Sequence, residues 1–171
     1  MLQELITSKT RIQLLFMFFL NQENICYLRE LAHVLDESTN SLRQELIKLE
    51  NLQLIISFKL GNKKFYRANA SHAFFPDIRN MMLKELGFDT IKSLLYRDVL
   101  GLSEIYVIGS HAEGINSNII DLVLVGQQLD INQINAVLRD VELTVKKKIR
   151  FIVLQCHELN TVLGHPKIFK L

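Results

Sequence analysis

Ser38-Thr39-Asn40-Ser41-Leu42-Arg43-Gln44-Glu45-Leu46-Ile47-Lys48-Leu49-Glu50 decides how the N-terminal half reads. Ser38 offers a capping hydroxyl, and the spacing predicts a helix from Thr39 to about Asn51. Leu42, Leu46 and Leu49 fall on one face and hold that helix on a core. Arg43, Gln44 and Lys48 therefore face outward. A helix lying in the major groove needs small polar residues at its N-terminal end, here Ser38, Thr39, Asn40 and Ser41. Gln and Asn read adenine edges, Arg reads guanine, and the helix N-terminus itself attracts phosphate.

Working outward, Asp36-Glu37-Ser38 is a turn. Before it, Tyr27 to Leu35 predicts a short amphipathic helix, with Leu28, Leu31, Ala32 and Leu35 on one face. Thr7 or Ser8 can cap a first helix running to about Leu20. Lys9 and Arg11 followed by the apolar run Leu14 to Leu20 imitate a secretory signal. No small-residue cleavage site follows, and seven residues fall far short of the roughly twenty that cross a bilayer. That run reads as a buried helix. After the central helix, Leu54 to Leu60 reads as a strand, Gly61-Asn62 as a hairpin turn, and Lys63 to Ala68 as the returning strand. Pro76 fits the first turn of a fourth helix ending at Gly87, and a fifth spans about Asp89 to Leu100. From Ser38 to Arg67 the chain has six basic side chains (Arg43, Lys48, Lys59, Lys63, Lys64, Arg67) and two acidic ones, Glu45 and Glu50. The local charge of +4 is twice that of the whole chain, as a phosphate-binding footprint would have it.

The order of helix, polar turn, capped helix and basic hairpin is that of a winged helix-turn-helix. Tyr27-Leu28-Arg29-Glu30-Leu31-Ala32, the Ser38 to Glu50 stretch, and Leu54-Ile55 resemble the bacterial winged-helix transcriptional regulators of ArsR- and MarR-like type. The resemblance covers about Met1 to Gly87. It implies a dimer that reads a two-part operator, with helices after the wing, Phe74 to Leu100, forming the dimer.

The second half alternates differently. Ile105 to Ile108 reads as a strand, Gly109 to Asn118 as a loop, and Ile119 to Val125 as a second strand. Asp130 to about Lys146 follows as a helix, and Ile149 to Leu154 as a third strand. Gly109-Ser110-His111-Ala112-Glu113-Gly114 and Ile120-Asp121-Leu122-Val123-Leu124-Val125-Gly126 are similar to the small nucleotidyltransferase family. In that family a Gly-Ser backbone holds nucleotide phosphates, and two strand carboxylates bind Mg²⁺. The resemblance implies a vestigial nucleotide site at Gly109, Ser110, Gly114 and Asp121. The departures weigh more than the matches. Aligned by its following apolar run, Asp121 matches the family's second Asp and Ile119 replaces the first. Aligned by distance from Gly109-Ser110, it matches the first and Val123 replaces the second. One metal ligand is gone either way. The third strand carries no acid and has Arg150 instead, and Glu113 stands where arginine is usual.

Composition bounds the rest. The 171 residues are 49% hydrophobic and 22% charged, with a net charge of +2, which argues against a disordered chain or a globally basic coat. Cys26 and Cys156 form no metal-spaced pair, and His33, His72, His111, His157 and His165 are scattered. Lys146-Lys147-Lys148 reads as a solvated helix C-terminus.

The expected fold is α+β. An N-terminal winged-helix domain spans 1–87; a dimerisation helix with a small α/β nucleotidyltransferase-like domain spans 88–171. The expected function is a cytoplasmic, sequence-specific transcriptional regulator that binds double-stranded DNA as a homodimer, without cofactor, metal or catalytic residues. The C-terminal domain serves dimerisation, partner contact or ligand sensing, with a small ligand or a protein as its partner and no membrane. DNA contacts are expected from Ser38, Thr39, Asn40, Ser41, Arg43, Gln44, Lys48, Lys59, Asn62, Lys63, Lys64 and Arg67. The alternative is an active nucleotidyltransferase with the winged helix as its targeting module.

Overall fold

The computed structural model describes residues 2–159 and 167–171, and His165 lies outside them. The chain is a mixed α+β protein with two sheets. It divides into two compact units, Met1–Met82 and Leu83–Leu171, and the division falls inside a helix rather than at Gly87.

The first unit begins with a single turn, α1 (Leu2–Leu5), and then α2 (Lys9–Phe19). Ser8 caps α2 by accepting from the Arg11 amide at 3.2 Å. Every residue from Leu14 to Leu20 is buried, so the signal-like run is core. Phe19 stacks on Phe75 with ring centroids 5.3 Å apart. β1 (Cys26–Tyr27) leads into α3 (Leu28–Leu35), and Asp36 ends that helix in the left-handed region at φ 50°. α4 (Thr39–Asn51) then packs Leu42, Leu46 and Leu49 inward. β2 (Ile55–Leu60) and β3 (Lys63–Ala68) form the hairpin, turning at Gly61 with φ 59°. β1 adds to its far side, giving the antiparallel order β1-β3-β2. The two-residue strand β1 is not predicted from sequence, because two residues carry no periodicity. α5 (Phe75–Glu85) follows, with Pro76 in its first turn.

The second unit begins with α6 (Phe88–Asp98). β4 (Leu102–Ile108), a 3-10 turn at Gly109–His111, β5 (Ile119–Gly126), α7 (Ile131–Val145) and β6 (Lys148–Leu154) come next. A short strand, β7 (Ile168–Lys170), closes the chain. The sheet order is β6-β5-β4-β7, with β5 and β6 parallel and the other pairs antiparallel. The expected three strands are present, and β7 is an additional edge. Alternation gives the sheet two faces. Ile105, Val107, Ile120, Leu122 and Leu124 are buried on one. α6 approaches that face, its Phe88 ring meeting Phe169 edge-on at 6.1 Å. Tyr106, Val123 and Val125 form a cluster on the other face, joined by Ile108, Leu154 and Ile168. Asp121 lies on this second face, two residues before Val123.

Candidate nucleic-acid interface

α4 presents a capped, open N-terminal end. The Ser38 hydroxyl accepts from the Ser41 amide at 3.1 Å. Thr39, Asn40, Arg43 and Gln44 are exposed in succession along the helix. Ser41 is half-buried, and its hydroxyl lies 3.1 Å from Thr10 Oγ1 on α2. Ser41 therefore ties the N-terminal end of α4 to α2.

Glu45 was only a count against the basic charge in the sequence, yet it organises this helix. It is 7% exposed within the leucine face. Arg11 Nε donates to its Oε2 at 2.7 Å, and Lys48 Nζ to its Oε1 at 2.9 Å. Burial works to raise the Glu45 carboxyl, but the hydrogen bonds and charges of Arg11 and Lys48 outweigh it and hold the group below the usual carboxylate range. Glu45 falls among Leu42, Leu46 and Leu49 at helical spacing, which is the signal that could have marked it. Lys48 is exposed as expected, with its ammonium on Glu45.

The hairpin register sorts the wing cations by face. Leu60 pairs with Lys63, Lys59 with Lys64, Phe58 with Phe65 and Ile56 with Arg67. Lys59 and Lys64 therefore share a face with buried Ile55, Tyr66 and Ala68. Lys63 and Arg67 point the other way. Lys64 Nζ donates to Glu50 Oε2 at 2.9 Å, and the Ser57 hydroxyl donates to Glu50 Oε1. The Ser57 and Lys64 hydrogen bonds lower the Glu50 carboxyl, and Glu50 in turn raises the Lys64 ammonium. Lys63 Nζ sits 4.1 Å from the Tyr27 ring centroid, and Arg67 lies 5.9 Å from that of Phe58. Lys59 and Asn62 are exposed at the tip.

In the second unit, Gly109 adopts φ 67°, and a Cβ there would come within 2.9 Å of Asp121 Oδ2. Any larger residue would press on that carboxylate as well as strain the backbone. Asp121 is half-buried and faces Arg150 across the parallel pair, with Arg150 Nε donating to its Oδ1 at 2.6 Å. That hydrogen bond raises the Arg150 guanidinium further. Ser110 is half-buried and Gly114 buried. Four of the loop amides bond within the loop. Those of Ala112 and Glu113 donate to the Gly109 and Ser110 carbonyls, that of Gly114 to His111, and that of Ile115 to Ser110. Lys147 Nζ holds the far end of the loop, donating to Asn116 Oδ1 at 2.7 Å and to the Ser117 carbonyl. His111 is fully buried and meets Phe88 edge-on at 5.6 Å, with neither ring nitrogen making a hydrogen bond of good geometry. Burial first, and then the Lys147 charge, push its pKa down to about 4 against opposing effects of Asp121 and the Ile119 backbone. Among the described residues, no three His, Cys, Asp or Glu side chains gather as a metal cluster. No described helix is long and apolar enough to cross a membrane.

No family profile and no curated protein matches the chain. Among solved structures it is similar to reduced HlyU from Vibrio cholerae, with 24% identity, a TM-score of 0.37, and 56% of this chain and 82% of that chain covered. It is similar to a mutant of Lactococcus lactis ZitR in complex with DNA, with 17% identity, a TM-score of 0.37, and 53% and 61% covered. A third is the adhesin competence repressor AdcR from Streptococcus pyogenes, with 12% identity, a TM-score of 0.40, and 56% and 72% covered. The chain spans less than two thirds of the ZitR chain, and each likeness covers just over half of this chain.

Proposed function

We propose that this protein is a sequence-specific, dimeric, double-stranded-DNA-binding transcriptional regulator of winged-helix type, acting in the cytoplasm. The observation that carries the reading is the exposed series Thr39, Asn40, Arg43 and Gln44 on a capped helix, followed by a basic hairpin. Ser38 and the helix N-terminus meet phosphate, Arg43 and Gln44 reach base edges, and Lys59, Asn62 and Lys63 follow the backbone. Lys64 and Lys48 contribute charge while held on Glu50 and Glu45. Exposed Leu52 and Phe74 border an apolar cavity of about 460 Å³ with Leu54, Ile78 and Met81, which favours a second copy as the cover for that side.

The C-terminal unit acts as a nucleotidyltransferase-like body that has lost its chemistry and serves dimerisation, partner contact or ligand sensing. Of its strand carboxylates, Asp121 is engaged by Arg150 and Glu104 by Tyr106 and Lys170, and the amides of Ala112 to Ile115 are spent within the loop. A metal at Asp121 would have to displace a guanidinium first. Titrating the full chain into a labelled duplex tests the main reading. Salt-dependent binding with two chains per duplex is the expected result. A chain that leaves duplex DNA unbound at low salt would be a protein-only adaptor.

A further inference from the structure

Apart from Lys63, the outward face of the wing sheet has no role in the duplex reading above. It consists of Tyr27 from β1, Lys63, Phe65 and Arg67 from β3, and Ile56, Phe58 and Leu60 from β2. Three of these are aromatic, and they form one continuous row across the three strands. Tyr27 meets Phe65 edge-on at 5.6 Å, and Phe65 stacks with Phe58 at 5.9 Å. Phe58 and Ile56 are each 37% exposed, and Leu60 is 67% exposed. A soluble sheet normally places polar residues on such a face. Here the polar residues are two cations, one at each end of the row, and none of the seven side chains is acidic. Lys63 lies over Tyr27 and Arg67 beside Phe58.

We propose that this face is a stacking platform for unpaired nucleobases, with a single-stranded polynucleotide as its occupant. Base π-faces stack on exposed aromatic rings regardless of sequence, and cations beside the rings take the phosphates between them. Exposed Phe58, with half-buried Phe65 and Tyr27 continuing the row, supplies the first requirement, and Lys63 and Arg67 supply the second. The ammonium of Lys63 moves from the Tyr27 ring to a phosphate when a base takes its place. An apolar protein partner would need only Ile56, Phe58 and Leu60, and would gain nothing from bracketing cations with no acid among them. The rings are separate from the exposed side of α4, and only Lys63 is shared with the duplex reading, so varying Phe58 tests the platform independently of base reading by α4.

The test compares full-length wild type with Phe58→Leu and Phe58→Tyr. Anisotropy is read with labelled twelve-nucleotide oligothymidine, oligouridine and a duplex of the same length. Phe58→Leu keeps apolar bulk and removes the ring, while Phe58→Tyr keeps the ring. The expected result is about a tenfold loss of single-strand affinity in Phe58→Leu, near-wild-type affinity in Phe58→Tyr, and unchanged duplex binding in both. Tyrosine emission should also be quenched by oligothymidine, less so in Tyr27→Phe; the chain has no tryptophan and four tyrosines. Equal single-strand binding by wild type and Phe58→Leu would overturn the proposal. So would a wild-type dimer in sedimentation that Phe58→Leu dissociates, since the face would then belong to a second copy.

Discussion

Arg150 and Asp121 stand opposite each other on neighbouring parallel strands, the guanidinium Nε donating to the carboxylate at 2.6 Å. Asp121 is thus compensated by a cation from the next strand, where the nucleotidyltransferase resemblance would ask for a third acid. Ile119 and Val123, two residues to either side on the same face, offer no ligand. Incubation with labelled nucleoside triphosphates, Mg²⁺ or Mn²⁺, and RNA or protein acceptors should give no transfer. Arg150→Ala should not restore it, because freeing one carboxylate does not supply the missing one. Transfer that disappears in Asp121→Ala would promote the alternative of an active enzyme.

His111 makes the second unit acid-sensitive. Its folded pKa of about 4 lies below the ordinary value of 6.5, so the unfolded chain takes up the proton first as pH falls. The stability from its neutral form is complete above about pH 6.5 and is lost progressively towards pH 4. The separation corresponds to about 3 kcal/mol. Melting temperature measured from pH 7.5 to 4.5 should fall more steeply in wild type than in His111→Leu. At pH 7.5 the variant should be close to wild type in stability, since neither ring nitrogen makes a hydrogen bond of good geometry. Equal acid slopes would contradict this account of the ring.

Glu45 joins α2 to α4 through Arg11 and also carries Lys48. Glu45→Ala leaves two cations without their acceptor and opens the leucine face, a loss of about 1–3 kcal/mol. Urea denaturation should show a lower midpoint with an unchanged slope. Its lowered pKa gives the sign with pH: the stabilisation is present at neutral pH and fades on acidification. A midpoint equal to wild type would make the network incidental.

On the proposed duplex reading, Lys64 and Glu50 set how strongly the wing grips phosphate. Glu50→Gln removes the charge that holds the Lys64 ammonium. The slope of log affinity against log salt for duplex DNA should then steepen by about one unit. Lys63→Ala should make it shallower by a similar amount, weakening all sequences alike. Unchanged slopes in both variants would move the wing off the DNA.

α4 was legible in the sequence to the residue, because a capping Ser38 and a leucine stripe are local signals. The hairpin was legible for the same reason, Gly61-Asn62 lying between two alternating runs. What stayed hidden depends on partners distant in the chain. β1 exists only through its pairing with β3, and β7 only through β4. The wing lysines read as one basic cluster until the register placed Lys59 and Lys64 on one face and Lys63 on the other. Arg150 stands out in the sequence as a misplaced charge, but its bond to Asp121 follows from a parallel register across α7. Glu45 looked like an ordinary surface acid because Arg11, its main partner, lies 34 residues away.

The central claim is that α4 reads duplex sequence, and selection from a random duplex library tests it most directly. Wild type should enrich one two-part motif. Gln44→Ala should enrich the same motif with one base position relaxed, a loss of roughly 1–3 kcal/mol there. A wild-type library that emerges without any enriched motif would contradict the claim.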